Sequence, residues 1–311
     1  VKGKDAGGHL PLPANAIMET VRFLDLECVA LENGAVQLLV TKSVGPRIIS
    51  LRFREGDNLF AELPDFVARR PDGKSYHFYG GHRLWSAPED MLRTYQLDDQ
   101  PVAIFPTRDG LIATQSIEPL TGIQKTVRVS LVGDEPRVII EHTLTNRGDK
   151  EIECSPWAIT QFKTGGVAIL PYSQERAGAL PNRSLALWPY TDLVVPRVQI
   201  GHSYILVHAD MQKAFKVGFP NTRGWLAYWL RDALFVKRAP YLPQARYYDF
   251  GSSSECYCSD RFLELETLAP IATLPVGASA THTETWELYP HIESPIDEDV
   301  TRTIAMRLRL E

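Results

Sequence analysis

The chain has 311 residues, 44% hydrophobic and 23% charged, with a formal net charge of −5. This composition excludes a disordered chain, and the mild acidity excludes the basic footprint of a nucleic-acid binder. No apolar run approaches the roughly 18 residues that a membrane helix requires, so neither nucleic acid nor membrane is an expected partner.

Prolines, 22 in all, punctuate the chain throughout. Residues 1–20 read as an N-terminal extension, and residues 21–311 as one domain without a linker. Cys28 to Leu31 leads into Glu32-Asn33-Gly34, a strong hairpin turn, and Val36 to Val40 follows. Arg47 to Phe53 reads as the next strand, closed by Glu55-Gly56-Asp57-Asn58. The stretch from Pro64 to Pro106 departs from this style. It is irregular, aromatic and mixed in charge, and reads as a binding loop on a rigid scaffold.

Alternation then resumes. Thr126 to Leu131 is strand-like, and Gly133-Asp134-Glu135-Pro136 turns the chain into Arg137 to Thr145. There Val138, Ile140 and His142 share one face, and Ile139, Glu141 and Thr143 the other. Further strands are expected from Glu151, over Gly224 to Leu230, over Leu234 to Lys237, over Phe262 to Leu268 and over Thr281 to Leu288. The only helix candidates are Pro88 to Tyr95 and a stretch from Arg223. Turns every 8–15 residues point to an all-β fold, a large antiparallel β-sandwich, rather than βαβ units.

Four cysteines, Cys28, Cys154, Cys256 and Cys258, cannot form a disulfide scaffold. Cys256 and Cys258 form C-x-C without a second ligand cluster, so all four read as buried thiols and no metal set is expected. Gly251-Ser252-Ser253-Ser254-Glu255 is a polar turn, not a nucleophile elbow. No motif asks for a cofactor. The chain begins with Val1 rather than Met, which is compatible with trimming or processing. It leaves the compartment open between cytoplasm and periplasm.

Three constellations could carry chemistry. In Gly80-Gly81-His82-Arg83-Leu84-Trp85 the glycines permit close approach or positive φ, and Arg83 with Trp85 suits a sugar: one face to stack, hydroxyls to bind. The bland alternative is a turn with Trp85 in the core and Arg83 paired to Glu89. His77 lies in the same stretch. Glu264 and Glu266, two apart on a strand, share a face and would raise each other's pKa if that face were buried. Between Lys216 and Tyr257, aromatics including Trp225 are interleaved with Lys237, Asp249 and Glu255, which fits a sugar groove or a sandwich core equally.

The segments Gly45-Pro46-Arg47-Ile48-Ile49-Ser50-Leu51, Leu144 to Asp149, Leu265-Glu266-Thr267 and Leu274 to Gly277 come in an order that resembles the galactose mutarotase-like (aldose 1-epimerase-like) superfamily. The nearest likeness is to a bacterial branch without the usual second catalytic histidine. The resemblance implies a supersandwich fold from about residue 20 to 290. It implies Glu266 as base on an anomeric hydroxyl, with His82 as the equivalent of the family's first histidine. The family's usual acid histidine is missing, and Pro156 or Trp157 stands in its place. Arg83, His77, Trp85, Glu264, Trp157, Trp225, Lys237 and Asp249 are the candidate substrate-binding residues.

The expected partner is a small-molecule carbohydrate, and the expected assembly a monomer or homodimer. Three functions stay open: acid/base chemistry at a sugar anomeric centre, sugar binding without catalysis, and glycoside cleavage by a lyase or hydrolase on the same scaffold.

Overall fold

The computed structural model describes residues 17–174 and 178–311. Most of the expected N-terminal extension, residues 1–16, lies outside the described residues, while residues 17–20 belong to the strand Ile17–Phe23. The expected all-β reading holds: two large antiparallel sheets, of twelve and ten strands, face each other as a sandwich. Leu84, Phe162, Leu263 and Leu265 of the first sheet meet Val138, Ile140, Phe235 and Trp286 of the second in one core. Burying that apolar surface is the main force holding the sheets together.

The strands expected in the first half appear as Leu26–Glu32, Val36–Thr41, Arg47–Phe53, Ile123–Leu131 and Arg137–Asn146. Those of the second half appear as Ile152–Phe162, Trp225–Leu230, Ala233–Arg238, Leu263–Leu268 and Ser279–Tyr289. All four cysteines are free and buried.

Two expectations are corrected. The stretch from Pro64 to Pro106 is not a loop. It contains the strand Ser75–Ala87, paired with Glu62–Arg69 on part of its length, and the strand Ala103–Pro106. Neither helix candidate forms: residues 91–95 make turns, and the chain from Trp225 is a strand in which aromatics alternate. Among the described residues the longest helix is Glu298–Arg307, where the Asp297 side chain accepts from the amides of Asp299 and Val300. It packs Ile304 and Ala305 over Trp225 and Tyr204, on the outside of the ten-stranded sheet. Among the described residues, no helix is long and apolar enough to cross a membrane.

Five neighbouring strands of the larger sheet position the candidate site. In order they are Ser75–Ala87, Ile152–Phe162, Leu263–Leu268, Ser254–Cys258 and Phe215–Phe219. Opposite residues align Arg83 with Ile159, Ile159 with Glu266, and Glu266 with Glu255.

Candidate functional site

Strand alternation gives the larger sheet two chemically distinct faces. Leu84, Leu263, Leu265, Cys256 and Val217 point into the sandwich. Their neighbours Arg83, Glu264, Glu266, Glu255 and Lys216 stand on the outer face, with Trp85 and Trp157.

A kink in the Ser75–Ala87 strand sets this pattern. Tyr79, Gly80 and Gly81 have φ of 57°, 93° and 69°. They switch the alternation, so that Phe78 before the kink and Arg83 and Trp85 after it line one cavity. The glycines are needed for sterics: a Cβ on Gly80 would lie 1.9 Å from the Ala61 carbonyl oxygen, and one on Gly81 2.2 Å from that of Ile48.

The outer face carries a buried ionic floor. Arg83 Nη2 donates to Glu264 Oε1 at 3.0 Å, and the guanidinium lies 4.2 Å from the Trp85 ring centroid. Lys216 Nζ lies 2.7 Å from Glu255 Oε2 and 3.0 Å from Glu266 Oε2. Trp157 Nε1 also donates to Glu266 Oε2, at 2.9 Å. The ammonium sits between two indoles, 4.8 Å from Trp157 and 4.6 Å from Trp188.

Burial would lower the Lys216 pKa, but Glu255 and Glu266 outweigh it and hold it well above the usual lysine value. Burial drives Glu255 well upward against the pull of Lys216, with Glu266 and Asp249 adding to the rise. Burial likewise raises Glu264, against Arg83.

Above this floor opens a cavity of about 230 Å³. Aromatic rings of Phe66, Trp85, Tyr95, Trp157, Tyr190 and Tyr257 wall it, while Arg83, Lys216, Glu264 and Glu89 supply charge. Glu89 is exposed at the rim and accepts from the Tyr95 hydroxyl at 2.7 Å. Five buried polar atoms at the floor have no hydrogen-bond partner: Arg83 Nε, Arg83 Nη1, Glu266 Oε1 and the two oxygens of Glu255, one of which faces the Lys216 ammonium in an ion pair. Groups left unsatisfied in this way are costly unless a ligand or water completes them.

The inner face holds a second polar cluster. His82, next to Arg83 in sequence, points the other way. Its Nδ1 lies 2.8 Å from Thr160 Oγ1 and its Nε2 2.7 Å from His142 Nε2. His142 Nδ1 donates to the His282 carbonyl at 3.0 Å, so His142 Nε2 accepts the proton of His82 Nε2. The His282 ring donates to Thr267 Oγ1 at 2.7 Å, and Thr267 donates to Glu284. Glu284 also takes Lys237 Nζ at 3.0 Å and Trp286 Nε1 at 2.8 Å. Burial lowers the pKa of all three histidines, that of His282 to about 3.

Donor atoms of His82, His142 and Glu284 lie within 4.8 Å of one another, the set among the described residues that could hold a metal. Two nitrogens on one tetrahedral zinc stand about 3.3 Å apart, from Zn–N bonds of roughly 2.05 Å. At 2.7 Å these two nitrogens share a proton instead, and Lys237 already supplies the carboxylate with a cation. The set fits a closed hydrogen-bond network better than a metal.

The candidates therefore divide. Arg83, Trp85, Trp157, Glu264 and Glu266 come together on the outer face. His82 and Lys237 belong to the inner cluster, so the sheet itself separates His82 from Glu266. Arg83 pairs with Glu264, not with Glu89. Trp225 is outside the site, beneath the C-terminal helix. His77 stacks on Tyr79 at 5.6 Å and does not line the cavity. Asp249, in a turn with φ 49°, acts on the site only through its charge on Glu255.

Lys216 and Glu255 were legible only as members of an aromatic-rich stretch. Their place beside Glu266 depends on strand pairing, which no local signal carries. Trp188 and Tyr190 gave no signal.

No protein-family model matches the sequence, and no curated protein matches it. Solved structures do share its fold. A galactose mutarotase-like protein from Lactobacillus casei ATCC 334 superposes with a TM-score of 0.55 at 12% identity, covering 84% of this chain and 100% of that one. The Slr1438 protein from Synechocystis sp. PCC 6803 gives 0.55 at 11% identity, covering 90% and 98%. A TPR-domain containing protein from Parabacteroides distasonis ATCC 8503 gives 0.60 at 13% identity, covering 89% of this chain. The chain spans about half the length, 48%, of the Parabacteroides protein. At these identities the likeness is one of fold.

Proposed function

We propose that the outer-face cavity binds a small carbohydrate and that Glu266 acts as base on its anomeric hydroxyl. The observation that carries this reading is the unsatisfied polar floor beneath aromatic walls. Arg83 has two nitrogens without a partner, and Glu266 one oxygen without a partner, its other oxygen being anchored by Trp157 and Lys216. Aromatic faces take the apolar side of a pyranose, and fixed donors and acceptors take its hydroxyls.

In this reading the Glu266 carboxylate accepts the anomeric hydroxyl proton as the bond from C1 to the ring oxygen breaks. Glu264, whose carboxyl pKa burial raises, donates a proton to that oxygen. The aldehyde rotates, the ring closes by attack of the same oxygen, and both protons return. Glu264 takes the acid's part because it lines the cavity and burial raises its pKa, Lys216 staying a cation that anchors Glu266, whereas His82 faces the sandwich interior. Conversion of a hexose panel followed by NMR tests the proposal. Catalysed mutarotation is expected for at least one sugar, with a loss of 100-fold or more in Glu266→Gln. No rate above background in the wild type would rule the catalytic step out.

One observation favours binding without turnover. Glu266 is fully buried and reaches the cavity only past Lys216 and Trp157. Sugar binding that survives Glu266→Gln, with no turnover, would select this second reading.

A further inference from the structure

We propose that the ligand is longer than one sugar ring, and that a second cavity across Tyr190 holds its further units. This rests on the carbohydrate reading above and extends it to the class of substrate: an oligosaccharide rather than a free hexose.

The first cavity, about 230 Å³, is smaller than the roughly 300–1,000 Å³ usual for small-molecule sites. A second cavity of about 390 Å³ opens beside it, and Tyr190 lines both. The two together fall within the usual range. Tyr190 is a half-exposed aromatic at the junction. Its ring makes a T-shaped contact with Tyr257, the centroids 6.5 Å apart. Such a ring is a stacking platform for the apolar side of a sugar.

The platform is fixed to the ionic floor. Thr191 Oγ1 donates to the Lys216 carbonyl at 2.6 Å and accepts from the Lys216 amide at 3.0 Å. Trp188, two residues before Tyr190, covers the Lys216 ammonium. A chain of sugars passing over Tyr190 would therefore stay in register with Arg83, Glu264 and Glu266.

The second cavity has the matching chemistry. Val195, Pro196 and Met211 give it an apolar wall, and Asp192, Gln212 and Lys213 a polar edge. It carries one closed ion pair, Arg197 with Asp210 at 2.9 Å. An apolar wall with a polar edge suits a neutral polyhydroxylated ring.

Calorimetric titration of the full chain with hexoses and with di- and trisaccharides built from them tests the inference. A trisaccharide is expected to bind at least tenfold more tightly than its parent hexose. Gln212 and Lys213 are exposed and line only the second cavity, so a double variant, Gln212→Ala with Lys213→Ala, should fold normally. It should erase most of that gain and leave hexose affinity within twofold. Equal affinity for hexose and trisaccharide, or a gain that persists in the double variant, would overturn the inference and leave the first cavity's reading standing. Binding of no sugar at all would overturn both.

Discussion

Lys216 decides the chemistry of the outer face. A single ammonium bridges two carboxyl groups placed opposite each other by strand pairing, Glu255 and Glu266. Removing it would leave both in a poorly solvated site. We therefore expect Lys216→Met to destabilise the fold by about 3–5 kcal/mol near neutral pH, the range for breaking a buried ion pair from one side. Urea unfolding at several pH values checks this. The loss should shrink as the pH falls and Glu255, whose carboxyl pKa burial raises, takes up a proton. A constant loss across pH would show that packing of the lysine stem, not its charge, is what matters. Glu266 itself was legible from its strand and its resemblance. Its partners were not, because Glu255 and Lys216 lie 11 and 50 residues away and meet it only across the sheet.

At the scale of elements, the kink at residues 79–81 places the site. Period-two alternation reads correctly wherever a strand is regular, which is why Arg137–Asn146 and Leu263–Leu268 were legible. Three successive positive φ values break that period inside Ser75–Ala87, and aromatics on both faces hide what remains. The same strand therefore read as a loop. Its helix-like neighbour, residues 91–95, has caps without a following helix: Asp90 Oδ1 accepts from the amides of Leu92 and Arg93, and the chain then turns. Gly80→Ala should cost more than about 3 kcal/mol, since the backbone strain and a clash with the Ala61 carbonyl add together. Gly73 has a similar φ of 82° and open space around it, so Gly73→Ala should cost only about 1–2 kcal/mol. Thermal or urea unfolding of both variants makes the comparison. Equal losses would show that the close approach at Gly80 relaxes freely.

For the whole molecule, one sheet separates two polar systems. The outer one opens to a cavity, and the inner one is sealed between the sheets and fully hydrogen-bonded through His82, His142, His282, Thr267 and Glu284. The sequence pattern showed that Val138, Ile140 and His142 share a face, and that Glu264 and Glu266 do. Which of these faces was interior depended on which sheet each strand joined. The inner system makes stability depend on acid. Its histidines have pKa values lowered by burial, so below about 6.5 the unfolded chain takes up protons that the fold refuses. Their contribution is thus complete above that pH and is lost as the pH falls toward the folded values, about 3 for His282. Each histidine adds a slope of about 1.4 kcal/mol per pH unit. His282→Asn should flatten the stability profile by that amount between pH 6.5 and 3, as measured by denaturant titration against wild type. An unchanged profile would mean that His282 is protonated in the fold.

Sugar binding on the outer face, at the floor held by Arg83, is the proposal on which the rest depends. Ligand-observed NMR of the saccharide panel, run with wild type and with Arg83→Met, tests it most directly. The account predicts saturation transfer to a saccharide from the wild type and at least a tenfold loss of affinity in Arg83→Met. No transfer to any saccharide, or equal binding by the variant, would contradict it.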